Sequence, residues 1–281
     1  KDAVSDTSDK VKGKLDSSGN AADKPENQIA GAGSASVNVS GQKTRASISG
    51  ITIGPRTAGT GSDVTVLALN QTNQFSGAGA GALTLASGPK SDRSSAVAGA
   101  IAYNHLFNVT EATVDDVTFN DSDALKVQAA SAGDQIALGL GLAVSTGGND
   151  NTAVGFSASG GVITNTTRAA VEDSVVNQRV DAGSTQRIEV SAYDRSRVLL
   201  GGGSFAGTSG SGTSAGGSLV IGYLGNKLQA EWLGSQARNF DTFDVTAGSA
   251  TRVLAGALAG AVSTGGDSKA GTGSAFVLIV D

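Results

Sequence analysis

The chain has 281 residues, 41 of them glycine, with aromatics at 4% and charged residues at 16%, against about 25% charged in an average domain. Cys and Met are absent, His occurs once, and the formal net charge is −5. These values exclude a disulfide scaffold, a zinc–thiolate site, a cysteine nucleophile and an iron–sulfur cluster, leave His105 without a second histidine for a metal site, and argue against a nucleic-acid-coating protein.

The sequence opens Lys1-Asp2-Ala3 rather than with Met, so a processed product or an excised piece of a longer tandem protein is expected. The lack of Cys fits export through an oxidising compartment. Residues 1–28 mix Lys, Asp, Ser and Asn with almost no apolar content and read as a polar linker or tail. At most one or two helical turns are expected over residues 8–15, weakened by Gly13. From Ile29 the composition changes to Ala, Gly, Ser, Thr and Val, and residues 29–281 read as one repeat domain. No run reaches 18 consecutive apolar residues, so no transmembrane helix is expected. The most apolar stretch, residues 253–262, is broken by glycine. With 1 Trp, 3 Tyr and 8 Phe, the aromatic girdles of a membrane barrel are lacking.

A unit near 60 residues recurs about four times. One half begins with an alternating strand: Val64-Thr65-Val66-Leu67-Ala68, Leu125-Lys126-Val127-Gln128-Ala129, Ile188-Glu189-Val190-Ser191-Ala192 and Phe243-Asp244-Val245-Thr246-Ala247, with central valines 61, 63 and 55 residues apart. Each is followed by an apolar anchor (Phe75, Ile136, Val198, Val253), a small-residue run such as Gly77-Ala78-Gly79-Ala80-Gly81-Ala82, and a polar glycine-rich turn. The other half carries Asn108-Val109-Thr110-Glu111-Ala112-Thr113-Val114 and Asn165-Thr166-Thr167-Arg168-Ala169-Ala170-Val171, with weaker copies around Ala46 and Ala230; these four alanines are 66, 57 and 61 residues apart.

Short alternating strands between Gly/Ser/Asn/Asp turns, with no sustained 3.6-residue apolar period, predict an all-β chain. The low aromatic count disfavours a propeller, and the small residues favour a right-handed parallel β-solenoid (β-helix) of about four ~60-residue repeats. At roughly 20 residues per coil, each unit is expected to make about three coils, around an uncharged core of Val, Ile, Leu and Ala. The ends of such a stack are exposed strand edges. The bare apolar strand Phe276-Val277-Leu278-Ile279-Val280 is therefore the expected self-association site, stacking end to end on another copy or on neighbouring repeats of a longer chain.

Units of the form V-x-V-x-A, an apolar–glycine run, then N-x-x-x-A-x-V resemble the repeats of filamentous-haemagglutinin-like and leukotoxin-like bacterial exoproteins. The resemblance covers about residues 29–281. It implies a secreted or surface-anchored stalk or adhesin with a glycan or cell-surface ligand, and it does not imply catalysis.

Other residues carry weaker chemistry. The recurring acidic pairs Asp115-Asp116 and Glu172-Asp173 have the composition of a calcium or acid–base site of a polysaccharide-acting β-helical enzyme, but adjacent strand residues face opposite ways, and strand ends entering polar turns are expected instead. The turns at Asn149-Asp150-Asn151 and at Asp267 are read as solvated, His105 as a strand or turn histidine, and Trp232 as core or end packing, because it replaces Val114 and Val171 at the matched position. Tyr103, Tyr193 and Tyr223 are the remaining large polar rings. Sequons fall at Asn38, Asn70, Asn108, Asn120 and Asn165. The expected function is a non-enzymatic structural or adhesive rod, secreted or on the bacterial cell surface, that needs no cofactor or metal; the alternative is a β-helical polysaccharide lyase, hydrolase or epimerase.

Overall fold

The computed structural model describes residues 27–54, 62–85, 93–147, 150–178 and 186–281. The tail read at residues 1–28, with its helical turns over residues 8–15, therefore lies outside the described residues except for its last two, and Gln28 already belongs to a strand.

The chain winds through four coils and the start of a fifth. The first coil is β1 (Gln28–Ser49), β2 (Thr52–Ile53) and β3 (Ser62–Leu85). The second is β4 (Arg93–Asp115) and β5 (Thr118–Thr146). The third is β6 (Asp150–Ile163), β7 (Thr166–Glu172), β8 (Val175–Gln178) and β9 (Arg187–Ser209). The fourth is β10 (Gly212–Leu224), β11 (Lys227–Leu233), β12 (Gln236–Arg238), β13 (Thr242–Ser249) and β14 (Arg252–Thr264), and β15 (Lys269–Val280) opens the fifth. One sheet stacks β1, β4, β6 with β7, β10 with β11, and β15; the other stacks β2 with β3, β5, β8 with β9, and β12 to β14. Every pairing is parallel. Among the described residues there is no helix. The class is thus a parallel β-solenoid.

The coil size differs from the expectation. Asn38, Asn104, Gly161, Gly222 and Leu278 are successive partners, 66, 57, 61 and 56 residues apart, so each unit is a single wide coil rather than three. The reason is strand length. Burial alternates without a break along the 23 residues of β4, and along the 29 of β5 it runs straight through the glycine-rich stretch. Glycine there lies in mid-strand and does not turn the chain. At about 3.3 Å per residue, β4 spans about 75 Å, making each coil a long flat loop closed by an arc at either end.

Three apolar clusters lie between the sheets. The largest sits beside the first arc, where Ala112, Val114 and Val171 face Val127, Val190 and Ile188. The middle one gathers Ala100, Ala102 and Leu106 with Ala137 and Leu200. The third, beside the second arc, is alanine only in its buried members, among them Ala96, Ala98, Ala143 and Ala206. In this narrow half the sheets approach so closely that a Cβ on Gly139 would sit 2.8 Å from the Ala158 carbonyl oxygen, and one on Gly155 would sit 2.5 Å from that of Phe205. Those glycines permit a spacing that an ordinary inter-sheet gap of about 10 Å does not need.

The first arc repeats one backbone conformation. Gly50, Asp116, Asp173 and Gly234 occupy its matched position with φ of 65°, 52°, 46° and 60°, the left-handed region that Gly, Asp and Asn tolerate best. The ladder continues through it: the amides of Gly50, Asp116 and Asp173 donate to the carbonyls of Asp115 (3.1 Å), Glu172 (3.2 Å) and Leu233 (2.9 Å). The second arc turns at Gly147, Gly210 and Gly265, with φ of 79°, 101° and 145°.

Candidate functional site

A polar seam separates the first apolar cluster from the second and runs up the stack. Its backbone is an asparagine ladder. The amide of Gln42 donates to Asn108 Oδ1, that of Asn108 to Asn165 Oδ1 and that of Asn165 to Asn226 Oδ1, each at 3.2 Å. A serine ladder does the same at the arc, with Val117 N to Ser174 Oγ at 3.1 Å and Ser174 N to Ser235 Oγ at 3.0 Å. Each coil therefore satisfies interior amides with side chains of the coil above. Asn226 and Ser235 are the uppermost members of these columns.

The seam also holds Asp194, which is fully buried, so an ionisable group lies in the interior that the sequence reading gave to Val, Ile, Leu and Ala. Its carboxylate accepts from Asn226 Nδ2 (2.7 Å), Ser196 Oγ (2.8 Å) and Asn165 Nδ2 (3.1 Å). Burial pushes this carboxyl above its ordinary range, while the hydrogen bonds from Ser196 and Asn165 pull the other way.

The charged residues of the outer faces pair mostly between coils, Arg168–Glu172 within β7 excepted. Arg45 meets Glu111, Arg168 meets both Glu172 and Glu231, Lys126 lies 3.5 Å from Glu189, and Arg197 forks onto Asp134 at 2.7 and 2.5 Å. The Arg197 guanidinium holds the Asp134 carboxyl below the usual carboxylate range. Glu172 and its neighbours line a groove of about 290 Å³ with Arg45 and Arg168, in which Glu111 and Glu172 are engaged by these guanidinium groups.

The other residues singled out in the sequence fall into structural positions. Asp115 ends β4 on the outside while Asp116 forms the arc, and Glu172 and Asp173 repeat this one coil up. Asn149 lies outside the described residues; Asp150 is 3.8 Å from Arg93, and Asn151 is buried, donating to the Ser209 carbonyl at 2.6 Å and accepting from Ser94 Oγ at 2.6 Å. Among the described residues no three His, Asp or Glu side chains converge as metal ligands. His105 faces outward on β4 against Phe107, with ring centroids 5.3 Å apart. Trp232 caps the first cluster, edge-on to Phe243 at 4.9 Å, with its indole N–H donating to the Ser235 carbonyl at 3.1 Å. Tyr103 and Tyr223 lie half-buried on the outer face over Gly160 and Gly225, and Tyr193 is exposed beside Gly248. Of the sequons, Asn120 is exposed, whereas Asn70, Asn108 and Asn165 are buried seam residues and Asn38 donates to the Phe75 carbonyl at 2.5 Å.

The predicted association strand is β15. It pairs with β10 along one edge only, so Phe276, Leu278 and Val280 continue the inward columns of Val220, Gly222 and Leu224, while Val277 and Ile279 continue the outer face. All five are exposed, at 37 to 64%. At the opposite end of the stack β1 and β3 each pair on one side among the described residues. The sequence reading located this edge but missed the ladder that ends beside it. The signal was the first Asn of the N-x-x-x-A motif, read there as a sequon.

These features define a wide two-sheet β-solenoid whose ordered sites are its ladders and its open edges. The chain matches no protein-family model, no curated protein and no solved structure.

Proposed function

We propose that this chain is a non-enzymatic structural rod, of the secreted or surface-exposed bacterial adhesin type, that lengthens by adding further coils to its open edges. One observation carries the reading: each coil's buried amides are completed by the coil above it, in register, at both the asparagine and serine columns. An edge built this way presents unpaired strand and inward apolar side chains that another repeat of the same register covers. The charged groove on the outer face supports a structural role as well, because its acids and bases bind each other across coils.

Electron microscopy of the purified chain at two concentrations tests this. Filaments of uniform width that lengthen with concentration and vanish in Phe276→Asp or Leu278→Asp are the expected result. Short rods unaffected by these variants would overturn end-to-end growth. Cleavage of a polysaccharide, lost in Glu172→Gln, would establish the enzymatic alternative.

A further inference from the structure

The outer face of the first sheet is apolar across β1, β4, β6, β10 and β15. From the row that joins Ile29 to Lys269 as far as the row that ends at Asp281, its outward residues include no Asp, Glu, Lys or Arg except those two, Lys269 and Asp281. Large and absent side chains alternate on it. One row up the stack reads Gly33, Gly99, Phe156, Gly217, Gly273. Four residues along the strands, the row reads Val37, Tyr103, Gly160, Ile221, Val277. Wherever one row has glycine, the other has a large side chain.

That opposition defines a symmetry. Consider a two-fold axis lying against the face and running up the stack, over the row Ala35, Ile101, Ala158, Leu219, Ala275 midway between the two. It keeps each coil at its own level and reverses position along the strands. It therefore sets Val37, Tyr103, Ile221 and Val277 of one copy opposite Gly33, Gly99, Gly217 and Gly273 of the other, and Phe156 opposite Gly160. One row further out it sets Val39 opposite Gly31 and Ile279 opposite Gly271. On the axis Ile101 and Leu219 meet their own images, each flanked by alanines on the neighbouring coils. At the edge coil Lys269 faces Asp281 of the second copy and Asp281 faces its Lys269. Among the described residues neither has an ion-pair partner in its own chain.

The receiving spaces are open in the single chain. A Cβ on Gly31, Gly99, Gly271 or Gly273 would meet nothing within 4 Å, and one on Gly33 only a carbonyl oxygen at 3.9 Å. A cavity of about 390 Å³ lies over Gly33 and Gly99 beside Phe156, where the axis brings Val37 and Tyr103 of the second copy. Another of about 200 Å³ lies over Ala158 and Gly160, between Tyr103 and Ile221, where it brings Phe156. Tyr103 leans toward Gly160 and forms one wall of that second cavity. The face measures about 40 Å along the strands by about 19 Å up the stack, roughly 750 Å² per partner, so a pair buries about 1,500 Å², the size of a standard specific interface.

We infer that the outer face of the first sheet is an isologous interface for a second copy of this chain, packed sheet on sheet with both stacks running in the same direction. Phe156 of each copy enters the other's cavity over Gly160, and Tyr103 enters the one over Gly99. The contact is lateral and does not depend on end-to-end growth, and it leaves the strand edges of both copies free.

The chain has no cysteine, so thiols placed one at a time test the geometry. Gly99→Cys and Tyr103→Cys chains, mixed and treated with a short bis-maleimide, are expected to join at least about tenfold faster than either chain alone. The axis sets position 99 opposite 103, and holds 99 about 13 Å along the strand from its own image. Sedimentation equilibrium of the full chain at about 10 µM should show the dimer. Phe156→Lys should abolish both dimer and cross-link with unchanged far-UV circular dichroism, because residue 156 faces outward and is 42% exposed. A wild-type chain monomeric at about 100 µM, whether or not it binds phosphatidylcholine vesicles, would overturn the inference. So would a dimer that survives Phe156→Lys, or cross-linking no faster in the mixture than in either chain alone. Filaments without the 99–103 cross-link would overturn this interface and leave end-to-end growth standing; a cross-linked dimer that never lengthens would do the reverse.

Discussion

Replacing Asn165 with alanine tests whether the seam ladder holds the coils together. Asn165 is 1% exposed, and its side chain makes two kinds of bond. Its Oδ1 accepts the Asn108 amide at 3.2 Å, and its Nδ2 donates to Asp194 at 3.1 Å. Alanine leaves the buried amide without an acceptor, which costs about 1–3 kcal/mol, and removes a donor to a carboxylate, worth about 1.5–3 kcal/mol. The expected loss is therefore about 2.5–6 kcal/mol, measured by urea unfolding. Asn226→Ala deletes the same chemistry at a half-buried site, where water replaces much of what is lost, and is expected to cost about 1 kcal/mol. Hydrogen exchange sharpens the contrast, because the Asn108 amide exchanges faster in Asn165→Ala and not in Asn226→Ala. Equal losses in the two variants, or a loss under about 0.5 kcal/mol for Asn165→Ala, would refute the ladder as a source of stability.

The Asp194 carboxyl titrates in the fold above its unfolded value, near 3.9. The stabilisation from its proton is complete below that unfolded value and is lost as pH rises through the folded one. Wild-type melting temperature should fall across this window relative to Asp194→Asn; parallel curves would remove Asp194 as the cause. Gly141→Val drives a side chain into the Phe156 backbone of the facing sheet and should cost at least about 1–3 kcal/mol, while Gly79→Ala, pointing into open space on the outer face, should stay within about 0.5 kcal/mol of wild type. At the first arc, with φ of 52°, Asp116→Gly should be neutral or stabilising and Asp116→Val should lower stability by about 1–2 kcal/mol in thermal melts. Trp232 is the single tryptophan and sits in the fourth coil, so its fluorescence should report loosening of that coil at lower urea than far-UV circular dichroism reports loss of the sheets; coincident transitions would show one cooperative unit.

Two of the marker series read from the sequence are stacked partners; the apolar anchors are not one column, because Phe75 and Ile136 stack on Leu199 and Leu254, while Val198 and Val253 stack on the inward Gln135 one residue before. Val66, Val127, Val190 and Val245 form one column, and Ala46, Ala112, Ala169 and Ala230 another. Register was legible because each column holds a residue type that its inward position and local gap width demand. The coil size was not legible. Glycine-rich runs look like turns, and only the facing sheet reveals that Gly139 and Gly155 are inward mid-strand positions where a side chain would strike a carbonyl. The Asp194 site was hidden for a related reason. Nothing adjacent in sequence marks residue 194 as buried among amides, since Asn165 and Asn226 reach it only after the chain has travelled about half a coil. The edge residues Phe276 to Val280 were legible as an apolar run, but their division into inward and outward sets follows from pairing with β10.

The width of the coil has a mechanical consequence. Successive partners on the second sheet are 61, 63 and 55 residues apart, so each layer adds only about 4.8 Å to the height of the stack while storing about 200 Å of chain. Peeling away one layer under tension would lengthen a tether roughly forty-fold over the height that layer occupied. Pulled from its ends, such a stack gives way in long, equal increments set by the repeat length, paying out chain while the layers beneath stay closed.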